Sequence, residues 1–276
     1  MTQDIHIVLS SNEKYKEFLF AAIRSLVRHT SQLSRVKFHI LSRDLRESTK
    51  EKIHMLTHGQ VDITKVDITL FENFPQMKIY PHLSVESYFR YLIPDLWPDL
   101  NRALYMDCDT IAKDDICKLW DLELGDCMVG ACEEGYDYFL KWKQEIGIKG
   151  FYFNAGVMIL DLKKFREHGI VEKLFSKTLE VGDRAEFADQ DILNVVLDGN
   201  VKLLPARYNI TVSTCQKSGA GNQNRPEFLY KIGDLQQAVQ SPGILHYNSP
   251  LKPTHLNCVH TFKHEWFRYA EDSLHS

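Results

Sequence analysis

The stretch Arg102-Ala-Leu-Tyr-Met-Asp-Cys-Asp109 carries a short apolar run into a pair of carboxylates. An apolar run of this length that ends in acidic residues is typical of a buried strand. In open α/β sheets the ligand crevice lies beyond the carboxyl ends of the strands. Asp107 and Asp109 would therefore both face a hard divalent cation bound in that crevice. Taken alone, such a triplet also fits a solvated turn, and the rest of the chain decides between the two.

Strands and helices alternate on the amino-terminal side of this stretch. Ile5–Leu9 and Val36–Leu41 are short apolar runs that predict strands. A helical spacing of apolar residues follows each run, first in residues 18–27 and then in residues 47–56. Such alternation predicts βαβ units and a Rossmann-like sheet flanked by helices. The sequence contains neither GxGxxG nor GxxxxGK[ST], which argues against dehydrogenases and P-loop NTPases.

The carboxyl-terminal side is less regular, although its elements can still be predicted. Three further strands are expected at Cys127–Cys132, Gly156–Leu160 and Gly243–Tyr247. A helix is expected over Asp191–Leu197, and an aromatic-bearing helix from His264 through Ala270 and on to Ser276 should dock onto the rest of the domain. The segment Ser213–Pro226 is the best candidate for a mobile loop. We therefore expect one α/β domain over residues 1–276, with an irregular second half.

Composition excludes several classes of protein and partner. Of 276 residues, 33 are Lys or Arg and 37 are Asp or Glu, so the net charge of −4 argues against nucleic acid as the main partner. Six cysteines without a CxxC pair indicate reduced thiols. Neither a signal peptide nor an apolar run of roughly 20 residues occurs. We expect a cytoplasmic protein without a transmembrane segment. Peripheral membrane contact is a weak prediction, because Lys263 and Arg268 in the aromatic tail are balanced by Glu265, Glu271 and Asp272.

A second group of polar residues follows the predicted strand at 243–247. His246 is close in sequence to Asn248, Ser249 and Lys252. A neutral imidazole suits manganese and other transition metals, and a lysine ammonium suits phosphate oxygens. A single histidine of this kind would also fit a structural role. Its combination with Asp107 and Asp109 favours the interpretation as a metal ligand.

Six segments spread over nearly the whole chain carry a resemblance to a known family. In order, they are Ile7–Tyr15, Tyr88–Tyr91, Ala103–Thr110, Phe153–Asp161, Asp189–Asn194 and His246–Pro253. With these motifs the chain resembles glycosyltransferase family 8, which includes glycogenin and bacterial lipooligosaccharide galactosyltransferases. The resemblance implies a GT-A fold, a UDP-sugar donor, a Mn²⁺ or Mg²⁺ cofactor and retention of the α-anomeric configuration. It also implies that residues 1–110 form the nucleotide-binding half and residues 111–276 the donor-sugar and acceptor half.

The same resemblance assigns roles to individual residues. The metal would be held by Asp107, Asp109 and His246. The UDP-sugar would contact Ser10, Ser11, Asn12, Arg90, Asp107, Cys108, Asp109, Asn154, Asn248, Ser249 and Lys252. Within that set, residues 10–12 would lie against uridine, Arg90 would reach donor oxygens and Lys252 would contact the diphosphate.

Asp189 and Gln190 are the catalytic candidates that the resemblance implies, because they would border the anomeric carbon. Retention can come from one front-face step or from two displacements. A carboxylate such as Asp189 suits double displacement, whereas Gln190 is too weak a nucleophile for that route without special help. Both routes remain open. Asp189 and Asp191 also fit the first turn of a helix, where acids are favourable, and we expect one of the two to serve only there.

The resulting hypothesis is a hexosyltransferase that moves glucose or galactose from UDP to a sugar or glycan acceptor. Ser249 stands where the family usually has glycine, and Thr254 where it usually has tryptophan. These departures keep open a catalytically impaired nucleotide-sugar-binding protein. A nucleotidyltransferase that makes NDP-sugars is the less favoured alternative, because the glycine- and basic-rich nucleotide loop of such enzymes is not found in the sequence.

Overall fold

The computed structural model describes residues 4–72, 77, 84–219 and 227–270. The strands are β1 (Ile5–Ser10), β2 (Val36–Ser42), β3 (Val61–Lys65), β4 (Arg102–Asp107), β5 (Thr110–Ala112), β6 (Val129–Glu133), β7 (Phe153–Asp161), β8 (Val201–Leu203) and β9 (Ile244–His246). The α-helices are α1 (Lys16–His29), α2 (Glu47–Leu56), α3 (Thr69–Glu72), α4 (Ile93–Leu96), α5 (Ile116–Trp120), α6 (Asp137–Glu145), α7 (Leu162–Glu167), α8 (Ile170–Val181), α9 (Asp189–Val196), α10 (Val212–Gly219), α11 (Ile232–Gln240) and α12 (Lys263–Ala270). Short 3-10 helices cover Glu13–Tyr15, Leu33–Arg35, Val85–Leu92 and Ala206–Tyr208.

Seven of these strands form one mixed sheet in the order β3-β2-β1-β4-β7-β6-β8. The four strands β3, β2, β1 and β4 run parallel to one another. Strand β7 is antiparallel to both β4 and β6, and β8 is parallel to β6. The parallel half confirms the Rossmann-like prediction, and the reversed strand β7 makes the sheet mixed.

Both faces of the sheet are covered, which explains why its strands are apolar almost throughout. In β1, Ile7 and Leu9 belong to a buried cluster that includes Ile23 of α1. The intervening Val8 belongs to a second buried cluster, together with Tyr105 of β4. Successive side chains of a strand point to opposite faces, so β1 contributes to both cores.

A separate two-stranded ladder connects the end of the chain to the end of β4. Strand β5 begins three residues after Asp107 and pairs antiparallel with β9, so that Thr110 lies opposite His246. The chain therefore turns directly after Asp107-Cys108-Asp109 and brings a histidine 137 residues beyond Asp109 to the same place. This pairing, rather than the large sheet, assembles the candidate site.

Several boundaries differ from the sequence predictions. Strand β7 begins at Phe153 rather than Gly156, because its first residues continue pairing with β6 beyond a register shift between Ala131 and Cys132.

The prediction of a loop over residues 213–226 is wrong for residues 213–219, which form most of α10. The Thr211 hydroxyl accepts from the backbone N–H of Thr214 at 3.3 Å, as a capping residue at a helix start does. Residues 220–226 lie outside the described residues.

The predicted docking of the carboxyl-terminal helix is confirmed as far as Ala270, and residues 271–276 lie outside the described residues. Trp266 and Tyr269 of α12 are buried in a cluster with Ala21 of α1. The Arg24 guanidinium donates to the carbonyl oxygens of Tyr269 and Ala270, which satisfies acceptors at the carboxyl end of α12. Among the described residues, every helix is too short or too polar to cross a bilayer.

Candidate active site

A cavity of about 750 Å³ opens where β1 and β4 end. Every site residue predicted from the sequence, except Ser249, lies in the lining of this cavity. The Ser249 hydroxyl instead accepts from the backbone N–H of Leu251 at 3.3 Å, within the loop that follows β9. The position of the cavity agrees with the rule that places ligands beyond the carboxyl ends of strands.

Three predicted metal ligands converge in this cavity. The Nε2 atom of His246 lies 3.3 Å from Oδ1 of Asp109 and 3.6 Å from Oδ2 of Asp107. One ligand atom from each of the three residues falls within 4.8 Å of the others. Two carboxylate oxygens and one imidazole nitrogen at such spacing are a donor set that fits Mn²⁺ and related divalent cations.

The orientation of His246 supports this interpretation. Its Nδ1 lies 2.9 Å from Oδ1 of Asn209, while the Asn209 amide nitrogen donates to Oδ1 of Asn154 at 2.9 Å. Since the Asn209 oxygen can only accept, the hydrogen-bond pattern assigns the proton to Nδ1 of His246. Nε2 is then the nitrogen that faces Asp107 and Asp109 and is available to bind a metal.

Gly156 on β7 makes room for this arrangement. A Cβ atom at this position would lie 2.1 Å from Cε1 of His246 and 2.7 Å from Oδ2 of Asp107. Both distances are too short for any real contact, so a side chain here would displace two of the three candidate ligands. The close approach and the donor set together fit a divalent cation held by Asp107, Asp109 and His246.

Lys252 lies against the same cluster. Its Nζ is 2.5 Å from Oδ2 of Asp109 and 2.8 Å from the carbonyl oxygen of Tyr247, and the side chain is buried. Burial alone would lower the pKa of Lys252, but the charge of Asp109 outweighs it and the net shift is upward. The lysine is therefore a firmly charged ammonium ion beside a candidate metal ligand.

Arg90 connects Asp107, a candidate metal ligand, to Asp189, the predicted catalytic carboxylate. Its Nη2 is 3.0 Å from Oδ1 of Asp107, and its Nε is 3.0 Å from Oδ2 of Asp189. A third nitrogen, Nη1, donates to the carbonyl oxygen of Ala155. The guanidinium is buried, and these contacts to protein groups hold Asp107 and Asp189 on one wall of the cavity.

Asp189 is the first residue of α9 and lies at an unusual backbone position. The preceding Ala188 has φ +51°, a conformation that costs energy for any residue with a side chain. Burial raises the pKa of Asp189 to about 6, even though the nearby charge of Arg90 opposes this shift. A buried carboxyl group with a perturbed pKa, held in a cleft, is typical of a functional site.

Asp191, two residues further on, points to different partners. Its carboxylate accepts from the indole N–H of Trp142 at 2.9 Å and from the backbone N–H groups of Glu186 and Phe187 at 2.8 and 3.0 Å. These bonds anchor the segment that leads into α9. The expectation that one of the two acids serves only the helix start therefore fits Asp191, whereas Asp189 lines the cavity.

Gln190 also lines the cavity, and both ends of its amide are engaged. Its Oε1 accepts from the backbone N–H of Ala155 at 3.0 Å, and its Nε2 donates to the Tyr152 hydroxyl at 3.2 Å.

Cys108 lies between the two carboxylates that are candidate metal ligands. Burial first, and then the flanking carboxylates, raise the pKa of its thiol, so it stays protonated near neutral pH.

Sequence reasoning missed a buried carboxylate in the lining of the cavity. Glu134 accepts from the Asn154 amide at 2.9 Å, the Ser213 hydroxyl at 3.0 Å and the backbone N–H of Gly135 at 2.9 Å. It directly follows β6. The rule that identified Asp107 at the end of β4 could have identified Glu134 as well.

A second missed carboxylate, Glu86, lies beside the loop after β1. It accepts from the Asn12 amide at 3.2 Å and pairs with Nε of Arg43 at 2.8 Å. Asn12 itself caps the following 3-10 helix by accepting from the backbone N–H of Tyr15 at 3.1 Å. Glu86 lies in a 3-10 helix far from any strand end, so no pattern in the sequence marks it.

A mixed α/β sheet of seven strands flanked by helices is the GT-A fold of glycosyltransferases. The fold matches the crystal structure of the galactosyltransferase LgtC in complex with donor and acceptor sugar analogs, with a TM-score of 0.83, 27% identity and coverage of 96% of this chain and 95% of that one. The model of the family "Glycosyl transferase family 8" matches residues 6–258, and the chain belongs to this family.

Curated relatives agree with this assignment. The chain is 27% identical to General stress protein A of Bacillus subtilis over 272 residues, which cover 96% of this chain and 92% of the relative. It is also 27% identical to the lipopolysaccharide 1,2-glucosyltransferase of Escherichia coli over 259 residues, with coverages of 91% and 73%. The protein is therefore a family 8 glycosyltransferase with a GT-A fold.

Proposed function

We propose that the protein is a metal-dependent, retaining hexosyltransferase that moves glucose or galactose from a UDP-sugar to a sugar or glycan acceptor with an α linkage. The observation that carries this proposal is the convergence of Asp107, Asp109 and His246 in a cavity that also contains Lys252 and Asp189. Two similar proteins, named as a galactosyltransferase and a glucosyltransferase, support a hexose as the transferred group.

Asp107, Asp109 and His246 would hold Mn²⁺ or Mg²⁺ in this proposal. When bound, the ion would neutralise the negative charge that develops on the leaving diphosphate. Lys252 would donate to diphosphate oxygens, and the loop of residues 10–12 would contact uridine. This arrangement would assign residues 1–110 mainly to the nucleotide and residues 111–276 mainly to the sugars.

The sugar end of the cavity would contain Asp189, Gln190 and Asn154. Departure of UDP leaves positive charge on the anomeric centre, and the Asp189 carboxylate would stabilise this charge electrostatically. Two observations favour a front-face step over double displacement. The ion pair with Arg90 reduces the nucleophilicity of Asp189, and the Gln190 oxygen already accepts a backbone hydrogen bond.

The alternative of an impaired nucleotide-sugar-binding protein depends on the two departures from the family pattern. Ser249 lies outside the cavity lining, so its Cβ does not narrow the cavity. Thr254 is exposed and likewise lies outside that lining. Since the metal-ligand cluster and the buried lysine are both in place, these positions favour an active enzyme.

Donor hydrolysis tests the proposal without knowledge of the acceptor. Release of UDP from UDP-glucose and UDP-galactose would be measured with Mn²⁺, with Mg²⁺ and with a chelator. We expect metal-dependent release from at least one donor, and proton NMR should show the α-anomer of the hexose before mutarotation. Asp107→Asn and Asp109→Asn should each lower the rate at least about a hundredfold. A β-anomer as first product would contradict retention, and normal turnover in both variants would contradict the metal site.

A further inference from the structure

We infer that Lys252 is a counter-ion for Asp109. Its ammonium group weakens the binding of a divalent metal by Asp109 until a diphosphate replaces Asp109 as its partner. The inference rests on the proposed function, because it assigns the diphosphate as the second partner of Lys252. It extends that function by making Lys252 strengthen the coupling between nucleotide and metal beyond their direct attraction.

The contact between the two side chains is direct. Nζ of Lys252 lies 2.5 Å from Oδ2 of Asp109, and the other oxygen, Oδ1, lies 3.3 Å from Nε2 of His246. Both side chains are about nine-tenths buried. Water therefore screens the pair poorly, and the ammonium ion and a divalent cation would compete for one carboxylate.

The charges around the metal-ligand cluster also indicate that Lys252 and a metal compete. Three carboxylates, those of Asp107, Asp109 and Asp189, are paired with two cations, Arg90 and Lys252. Asp107 is additionally bound by the Tyr105 hydroxyl at 2.8 Å. With Lys252 in place, the net negative charge of the cluster is therefore small, and its attraction for a divalent cation is weak. Removal of the ammonium would leave Asp109 without its ion-pair partner and raise the attraction for a metal.

A diphosphate would relieve this competition. Phosphate oxygens form strong charge-assisted bonds with an ammonium ion, and the flexible four-carbon stem of lysine allows Nζ to exchange one oxygen partner for another. Transfer of Lys252 from Asp109 to the diphosphate would free the carboxylate. Because coupling between two ligands is reciprocal, UDP and the metal would each tighten the binding of the other by the same factor.

Metal titrations in the absence of nucleotide test this inference alone. Mn²⁺ affinity would be measured by calorimetry and by the EPR signal of free Mn²⁺ for wild type, Lys252→Met and Lys252→Arg. We expect Lys252→Met to bind Mn²⁺ at least about tenfold more tightly than wild type, and Lys252→Arg to stay within about threefold of it. Asp109→Asn should abolish the binding in either background, which would place the bound Mn²⁺ at this cluster.

Lys217→Met is the matched control. Lys217 lines the same cavity, but its Nζ lies 3.8 Å from Oδ1 of Asp137 rather than at the metal-ligand cluster. The control removes one positive charge from the cavity without releasing Asp109, so its Mn²⁺ affinity should change by less than about threefold. An equal gain in both methionine variants would show a general charge effect and overturn the inference.

A second measurement keeps the inference testable if Lys252→Met folds poorly. In the wild-type protein, UDP should raise Mn²⁺ affinity at least about tenfold, and in Lys252→Gln this factor should be at least about threefold smaller, because only the direct attraction between the ion and the diphosphate remains. Unchanged nucleotide-free Mn²⁺ affinity in a folded Lys252→Met protein, or no detectable Mn²⁺ binding by it, would overturn the inference. Neither result would affect the proposed transferase activity, which donor hydrolysis tests separately.

Discussion

Asn209 holds His246 in the orientation that a metal ligand needs, through a contact of 2.9 Å between Oδ1 of Asn209 and Nδ1 of His246. The two residues come from different elements, since Asn209 follows a short 3-10 helix and His246 ends β9. Strand pairing brings the histidine to the site, but this buried amide decides which nitrogen faces Asp107 and Asp109.

Asn209→Ala should therefore lower Mn²⁺ affinity by about 10–100-fold, the usual effect of removing a hydrogen-bond partner behind a metal-binding imidazole. Mn²⁺ titration by calorimetry is the measurement. Asn209→Asp keeps an acceptor for Nδ1 and should retain more affinity than Asn209→Ala. Wild-type affinity in Asn209→Ala would mean that the amide does not orient His246.

Gly156→Ala should reduce Mn²⁺ binding while leaving the fold intact, because the new methyl group would meet His246 and the Asp107 carboxylate. We expect a loss of at least about tenfold in affinity, with an unchanged circular dichroism spectrum. Gly233→Ala, in α11, is the matched control, since a Cβ there has no neighbour within 4 Å among the described atoms. Equal Mn²⁺ affinity in the two alanine variants would contradict the close-approach explanation.

Asp189→Asn and Gln190→Ala should slow donor turnover at least about tenfold while leaving UDP affinity within a few-fold, because their proposed partners are the hexose and its transition state. Asp191→Asn provides the contrast. It removes charge from a carboxylate that anchors backbone and indole N–H groups, so it should lower thermal stability and leave turnover of the folded enzyme nearly unchanged. Wild-type turnover in both Asp189→Asn and Gln190→Ala would show that these residues are structural.

Stability should fall as the pH drops below about 6.5, partly because of His260. Burial lowers the pKa of this imidazole to about 4. As a neutral ring it donates from Nε2 to the carbonyl of Ile210 and accepts the backbone N–H of Phe262 at Nδ1. The folded state therefore binds fewer protons than the unfolded state, so the stabilisation is complete above pH 6.5 and is lost between pH 6.5 and 4.

By pH 5 this single group should account for a loss on the order of 2 kcal/mol in unfolding free energy. Urea denaturation between pH 7.5 and 5 measures the slope. His260→Asn should flatten the slope, whatever its stability at neutral pH, and His264→Asn, at an exposed position of α12, should not. Parallel slopes for wild type and His260→Asn would contradict the assignment.

The sequence predicted the strands whose ends carry the site residues. It did not predict the strand pairing that brings His246 to Asp107 and Asp109. Asp107 and Asp109 follow an apolar run, and that local pattern places them at the end of β4. His246 lies 137 residues beyond Asp109, and the pairing of β5 with β9 has no local signature. Its imidazole chemistry and the family resemblance predicted a ligand, but not the strand pairing that brings it beside the two aspartates.

The two acids of α9 show a different limit. Residues two apart on a helix point about 200° apart, so the helix period predicts that Asp189 and Asp191 cannot share one environment. It does not predict which of them faces the cavity. That depends on where Trp142 and Arg90 pack, and both come from distant parts of the chain. Asn209 and Glu86 could not be predicted either, because their partners, His246 and Asn12, come from distant parts of the chain.

Thermal unfolding with nucleotides and metal tests the central claim most directly. A ligand at about a hundred times its Kd stabilises the folded state by about 2.7 kcal/mol, which corresponds to roughly 5–10 °C in Tm for a protein of this size. We expect a shift of this order with UDP and Mn²⁺ together, and none with NAD, ATP or GDP at the same concentration. Asp107→Asn should lose the shift. A clear shift with NAD or ATP and none with UDP and Mn²⁺ would contradict the assignment of this cavity to a UDP-sugar.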